Sequence, residues 1–356
     1  MGEVSPAPPA TRTKDLSIQT LRGLACILVV AYHVRSVPDV DDTGLAGGND
    51  VVSRLIISLA YLRMPLFSFL SGFVYAMRPL RSDVSSFVRG KARRLLVPLL
   101  FVGTLFAVLQ SLSPGTSTKI VDETPWYLWH IVPLRHLWFL ESIFWVFVLV
   151  GLLEVRGYLD RVGAVVAVAA TAVMLDIVVP LGDDALGARM AIYLLPFFLS
   201  GLAARRFDWR SAPAWAKASV LAVTLALGVL TQLSVWGEIE LIHPRHNVIA
   251  AALGIGACLS LLLLRVSWRP LVYIGGFSFT IYLIHPLGTA AMRYALLKAG
   301  ITAIWMTIVP CILAGLAAGI ALELIARRSA VLRVLVLGQR LPRRFLSARA
   351  DPVTSN

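Results

Sequence analysis

The stretch LSIQTLRGLACILVVAYHVRS, residues 16–36, decides the fold. It is mostly apolar, and about 20 such residues wound as a helix cross a hydrocarbon core of roughly 30 Å. Two ionisable groups, Arg22 and His33, lie inside the run. No small-residue cleavage site precedes the next apolar segment, so the stretch is expected to be a retained membrane span and not a signal peptide.

Working outward from it, the same pattern recurs nine times, at 53–77, 95–113, 136–153, 162–180, 189–206, 216–236, 247–265, 271–292 and 303–325. Composition agrees: 58% of the 356 residues are hydrophobic and 15% charged, with a mean hydropathy of +0.77. A soluble domain is nearer half apolar and about a quarter charged, and a disordered chain is biased the other way. The sequence therefore predicts an all-α, polytopic integral membrane protein with about ten transmembrane helices. The fourth, sixth and ninth spans are the weakest, being short or interrupted by Pro or Gly.

The net charge of +13 would point a soluble protein toward nucleic acid. Here it sets orientation. With the N-terminus in the cytoplasm, 24 of the 33 Lys and Arg fall on the cytoplasmic side, and 12 of the 20 Asp and Glu fall outside. That bias fits an even number of spans with both termini cytoplasmic, in the cell (inner) membrane. Residues 1–14, rich in Pro, read as a disordered cytoplasmic tail. Residues 15–326 form the membrane domain. Residues 327–356 form a basic tail whose seven Arg, from Arg327 to Arg349, suit anionic lipids. Cys26, Cys258 and Cys311 are far apart in apolar runs, which suits neither a disulfide framework nor a metal cluster. No nucleic-acid partner and no metal are expected.

Ionisable groups inside a span cost at least ~2.5–3.5 kcal/mol, so each is a functional candidate unless it snorkels to the interface. Eleven residues separate Arg22 from His33, a turn of about 1100° that leaves both on one face, about 16 Å apart along the axis. A lone helical histidine is most often structural, but this one shares its face with an arginine. Arg63 lies near mid-depth in the second span, where Pro65 is expected to kink the helix toward a polar cavity, and Ser71–Gly72 admits a close neighbour. Glu141 falls five residues into the fourth span, with His136 before it at the surface. His285 lies in the outer half of the ninth. His33, Glu141 and His285 thus share a depth, and a carboxylate can orient an imidazole if they converge. Between spans two and three, Arg89, Lys91, Arg93 and Arg94 crowd the mouth of a helix. They suit topology determination, lipid headgroups or a phosphate-bearing donor. Asp41–Asp42 and Asp183–Asp184 read as solvated pairs, and a metal site at His243 and His246 is improbable without acidic or Cys partners. No Walker loop, dinucleotide fingerprint, HExxH or G-x-S-x-G is present.

IQTLRGLACILVVAYH (18–33) resembles the first span of the membrane-bound acyltransferase 3 family of bacterial envelope O-acyltransferases. MPLFSFLSGF (64–73), the basic cluster before Pro98, HLWFL (136–140), LPFFLSGLAARR (195–206) and FTIYLIHPL (279–287) are similar to further segments of that family, in order along the chain. The resemblance implies transfer of an acyl group, often acetyl, from cytoplasmic acyl-CoA (acetyl-CoA above all) to a hydroxyl of an envelope glycan or glycolipid. It places His33 and Arg22 at the family's essential histidine and its paired arginine. Lys91 and Arg94 fall on the basic motif, which usually has two Arg three apart, and Arg93 offers a second register. On this reading His33, Arg22 and Glu141 are the catalytic candidates. Arg63, Ser71, Lys91, Arg93, Arg94 and His285 are the substrate-binding ones. A competing reading is an exporter of a glycan or lipid-linked precursor, since mid-membrane charges also line transport paths. Another is a membrane scaffold with a lipid-binding tail.

Overall fold

A computed structural model describes residues 15–35, 51–112, 125–131, 135–179, 184–237 and 246–340. The 1–14 tail, the end of the basic tail from 341 on, Asp41–Asp42, Asp183 and His243 lie outside these residues. Among the described residues every regular element is helical, and each of the ten apolar segments forms one helix or a helix pair. The first is α1 (Leu16–Arg35). The second is split into α2 (Val51–Ser58) and α3 (Ala60–Tyr75). There follow α4 (Val84–Ser111), α5 (Trp138–Val155), α6 (Val162–Val178), α7 (Ala188–Arg206), α8 (Ala214–Val235) and α9 (Val248–Leu263). The ninth segment is again a pair, α10 (Arg269–Gly276) and α11 (Ser278–Lys298), bent by 85°. α12 (Ile304–Ala326) and the short α13 (Ala330–Leu335) complete the chain.

Among the described residues, seven helices are long and apolar enough to cross a membrane, and the bent pair would make an eighth. α6 and α9, of 17 and 16 residues, are apolar but shorter. At about 1.5 Å per residue they rise roughly 25 Å, a little under the usual hydrocarbon thickness. The chain is a multi-pass membrane protein on these grounds.

Three expectations are corrected. The break in the second segment falls at Leu59 and not at Pro65, which sits inside α3. Proline removes the donor that would reach the carbonyl of Tyr61. That carbonyl faces Gly254 of α9, where there is no side chain to block it, so the helix runs on. α4 begins eleven residues before the expected third span, because Asp83 caps it by accepting from the Ser86 amide at 2.9 Å. The basic cluster is therefore helical, not part of a loop. Finally, the C-terminal segment is not a free tail up to residue 340. The carbonyl of Gly338 accepts from Arg93 Nε at 3.0 Å, which ties the segment after α13 to α4.

The core is built on close crossings. A Cβ on Gly72 of α3 would overlap the Phe198 carbonyl of α7, and one on Gly201 of α7 would overlap the Phe69 carbonyl of α3. Without a hydrophobic drive between helices in lipid, such small-residue contacts let backbones pack directly. Phe69, Phe197 and Phe198 fill the space beside this crossing and are fully buried. α1 packs on α10 in the same way, through Gly23 and Gly275.

Candidate functional site

Two groups of polar side chains sit at different levels of the bundle, and α1 runs through both. The first surrounds a cavity of about 1270 Å³. Arg22, Arg78, Lys91, Arg93, Arg94, Arg205 and Arg340 line it, with Ser71 and Asp15. Of the residues singled out in the sequence, five therefore meet here: Arg22, Ser71, Lys91, Arg93 and Arg94. Lys91 extends its ammonium over the Phe147 ring, 3.2 Å from the centroid. Its partner three residues on, Arg94, shares its face of α4 and is exposed. Arg93 donates its Nε to the Gly338 carbonyl, so it anchors the C-terminal segment while lining the cavity beside Lys91 and Arg94. At the rim, partial burial of Asp15 opposes ionisation. Hydrogen bonds from Ser17 and from the Arg210 guanidinium outweigh it and hold the carboxyl below its usual range.

The second group is a histidine cluster. His33 of α1, His285 of α11 and His136, just before α5, bring their rings together with centroids 4.7, 5.4 and 6.0 Å apart. His285 is fully buried, and its Nδ1 lies 3.0 Å from the Ile281 carbonyl and 2.9 Å from that of Tyr282. Carbonyls only accept, so Nδ1 carries the proton. The second carbonyl is available because Pro286, four residues beyond Tyr282, has no amide hydrogen to give it. Nε2 of neutral His285 is then a lone pair, and it lies 3.1 Å from Nδ1 of His33. That Nδ1 also faces the Val29 carbonyl at 2.9 Å, so it is the donor. The basic nitrogen of neutral His33 is therefore Nε2.

Arg63 joins this level. It is buried, and its guanidinium lies 3.6 Å from the centroid of Tyr32, whose ring meets that of His33 at 5.0 Å. Glu141 belongs to α5, the helix that follows His136. It is buried in the first turn of α5 against Gly187, and its Oε2 has no hydrogen-bond partner among the described residues. One hydrogen-bond partner of His33 is thus a second imidazole.

His136 is a second correction. Expected at the surface, it is 5% exposed, with Nε2 on the Leu283 carbonyl at 3.1 Å. The Tyr282 hydroxyl donates to the His136 carbonyl, so α11 holds both ends of this residue. Its signal was available: His136 stands three residues before Phe139, on the face that α5 buries. Asp184, read as solvated, instead accepts from the Arg189 amide at 2.7 Å and starts α7. His246 does have an acidic partner. Its Nδ1 lies 2.9 Å from Asp176, which also pairs with Arg189 at 2.5 Å. This buried cluster joins α6, α7 and the start of α9. Among the described residues no three His, Cys, Asp or Glu side chains are placed to hold a metal ion.

The chain is 24% identical over 237 residues to the nodulation protein NolL of Mesorhizobium japonicum, an alignment that covers 65% of this chain. It spans 59% of the length of that relative. No solved structure gives a significant match. The family model for the acyltransferase domain, of the acyltransferase 3 type, matches residues 15–324, which hold the histidine cluster and most of the residues that line the basic cavity: the chain belongs to the acyltransferase 3 family.

Proposed function

We propose that the protein is an O-acyltransferase of the cell (inner) membrane, with about ten crossings and both termini cytoplasmic. It moves an acyl group, acetyl or similar, from cytoplasmic acyl-CoA to a hydroxyl of an envelope glycan or glycolipid. The observation that carries this reading is the hydrogen bond between His285 and His33, which leaves Nε2 of His33 as a base about 16 Å along α1 from the Arg22 cavity. A base at one level and an anion-binding cavity at the other, on one helix, suit a donor and an acceptor that arrive from opposite faces.

In this scheme Arg22, Lys91 and Arg94 hold the donor's phosphates, with Arg205 and Arg340 across the cavity. His33 Nε2 takes the proton of the acceptor hydroxyl as its oxygen attacks the thioester carbonyl. The C–O bond forms, the C–S bond breaks, and the imidazolium returns the proton to the departing CoA thiolate. His285 accepts the Nδ1 hydrogen of His33 throughout and so steadies the positive charge on that ring. Arg63, beside Tyr32, contributes positive potential to the oxyanion that develops at the carbonyl.

The test is mass spectrometry of envelope glycans from cells that carry the wild-type or the His33→Ala protein. Loss of one acyl modification with His33→Ala, at equal membrane abundance, supports the reading. An unchanged profile rejects it. Export without acyl transfer would instead change the amount of surface glycan and leave its acylation as it was.

A further inference from the structure

The basic cavity and the histidine cluster are separated by a layer of rings, and the order is the same on each helix. On α3, Ser71 lines the cavity, Phe67 lies one turn beyond it, and Arg63 a further turn on reaches Tyr32 beside His33. On α5, Phe147 lines the cavity, Phe139 lies two turns away from it, and His136 follows just past the helix start. On α11, Tyr282 precedes His285 by three residues. The Phe67, Phe139 and Tyr282 rings meet one another with centroids 5.5, 6.0 and 6.3 Å apart. At such separations ring edges touch ring faces. The three rings thus form one contiguous aromatic layer.

The three rings are not equally fixed. Tyr282 is buried and tied by its hydroxyl to the His136 carbonyl. Phe139 is buried and packs edge-on against Trp138. Phe67 is half-buried, and its side chain has no polar group to tether it. Of the two phenyl rings, neither of which makes a hydrogen bond, it is the less tightly enclosed and so the freer to turn.

We infer that Phe67, Phe139 and Tyr282 form an acyl-size filter, with Phe67 the residue that sets the limit. The inference rests on the acyl-transfer reading above. The donor's phosphates stay with the arginines of the cavity, so its thioester end alone has to pass the rings to approach His33. Rotation of one phenyl ring opens a gap no wider than the ring itself. A two-carbon acyl group needs less than that, whereas each further methylene must find room in a packed interior and lowers the rate by about tenfold or more.

The experiment measures release of the CoA thiol from acetyl-, butyryl- and hexanoyl-CoA by the purified full-length protein in detergent, with water as acceptor. Wild type should use acetyl-CoA at least about tenfold faster than hexanoyl-CoA. Phe67→Ala should bring the two rates to within about threefold, and Phe67→Leu, which removes less volume and serves if the alanine variant does not fold, should extend use to butyryl-CoA. Equal use of all three donors by wild type would overturn the filter. So would variants that release CoA from acetyl-CoA yet keep the wild-type chain-length ratio, and in both cases acyl transfer itself would stand. Absence of release from every donor by wild type would reject the acyl-transfer reading, and the filter with it.

Discussion

Nε2 of His285 lies 3.1 Å from Nδ1 of His33 across 252 residues of sequence, and the two carbonyls at the far nitrogen of His285 set the direction of that hydrogen bond. One imidazole thereby fixes the tautomer of another. In neutral His33 the basic nitrogen is then Nε2. This differs from a carboxylate–histidine pair in that the supporting group is a second imidazole, itself buried.

His285→Leu removes the acceptor and is expected to lower kcat by about 10- to 100-fold while KM for acyl-CoA changes little. His285→Gln keeps an acceptor and should recover part of the rate. Nitrogen NMR of labelled His33 provides the separate check: Nδ1 carries the proton in wild type and His285→Gln, and that preference is lost in His285→Leu. Equal rates for the two variants would remove His285 from the mechanism.

Pro286→Ala restores a backbone donor to the Tyr282 carbonyl, which then competes with Nδ1 of His285. The helix gains a hydrogen bond, so thermal stability should hold or rise slightly. Activity should nonetheless fall several-fold, on the order of 1 kcal/mol, because His285 is less firmly oriented. The opposite signs of the two changes are the diagnostic, read by melting temperature and by CoA release.

Loss of either cavity cation removes charge-assisted contact with a phosphate. Lys91→Ala and Arg94→Ala should each raise KM for acyl-CoA by about 10- to 100-fold, corresponding to roughly 1.5–3 kcal/mol, with kcat nearly unchanged. Arg93→Ala should act differently, by releasing Gly338, and its signature is faster proteolysis of the C-terminal segment. A KM effect confined to Arg93 would reverse the register assigned to this cluster.

Gly201→Val forces a side chain into the Phe69 backbone of α3. The crossing has to open, at a cost of at least about 1–3 kcal/mol. Asp176→Ala strands Arg189 in a buried site and should cost about 3–5 kcal/mol. Both variants should melt at lower temperature in detergent, and molecules that remain folded should keep the acyl-chain preference of wild type.

The sequence alone determined the membrane-embedded, helical character of this chain, since ten apolar runs of near-spanning length admit little else. It also located Arg22, His33, Arg63 and His285, because an ionisable group in an apolar run stands out in one dimension. Helical periodicity placed Arg22 and His33 on one face. What lay outside its reach was every relation between helices. Residues such as His33 and His285 meet across a bundle, and nothing local encodes that pairing. Hence the meeting of His33 and His285 stayed conditional on convergence, and His136, a few residues before its helix, moved from surface to core. The site of the second segment's break and the return of the C-terminal segment onto α4 were likewise decided by neighbours: Gly254 beside Tyr61, and Arg93 against Gly338. Apolar pattern is a property of each helix, whereas a hydrogen bond between two histidines belongs to the packing that brings their helices together.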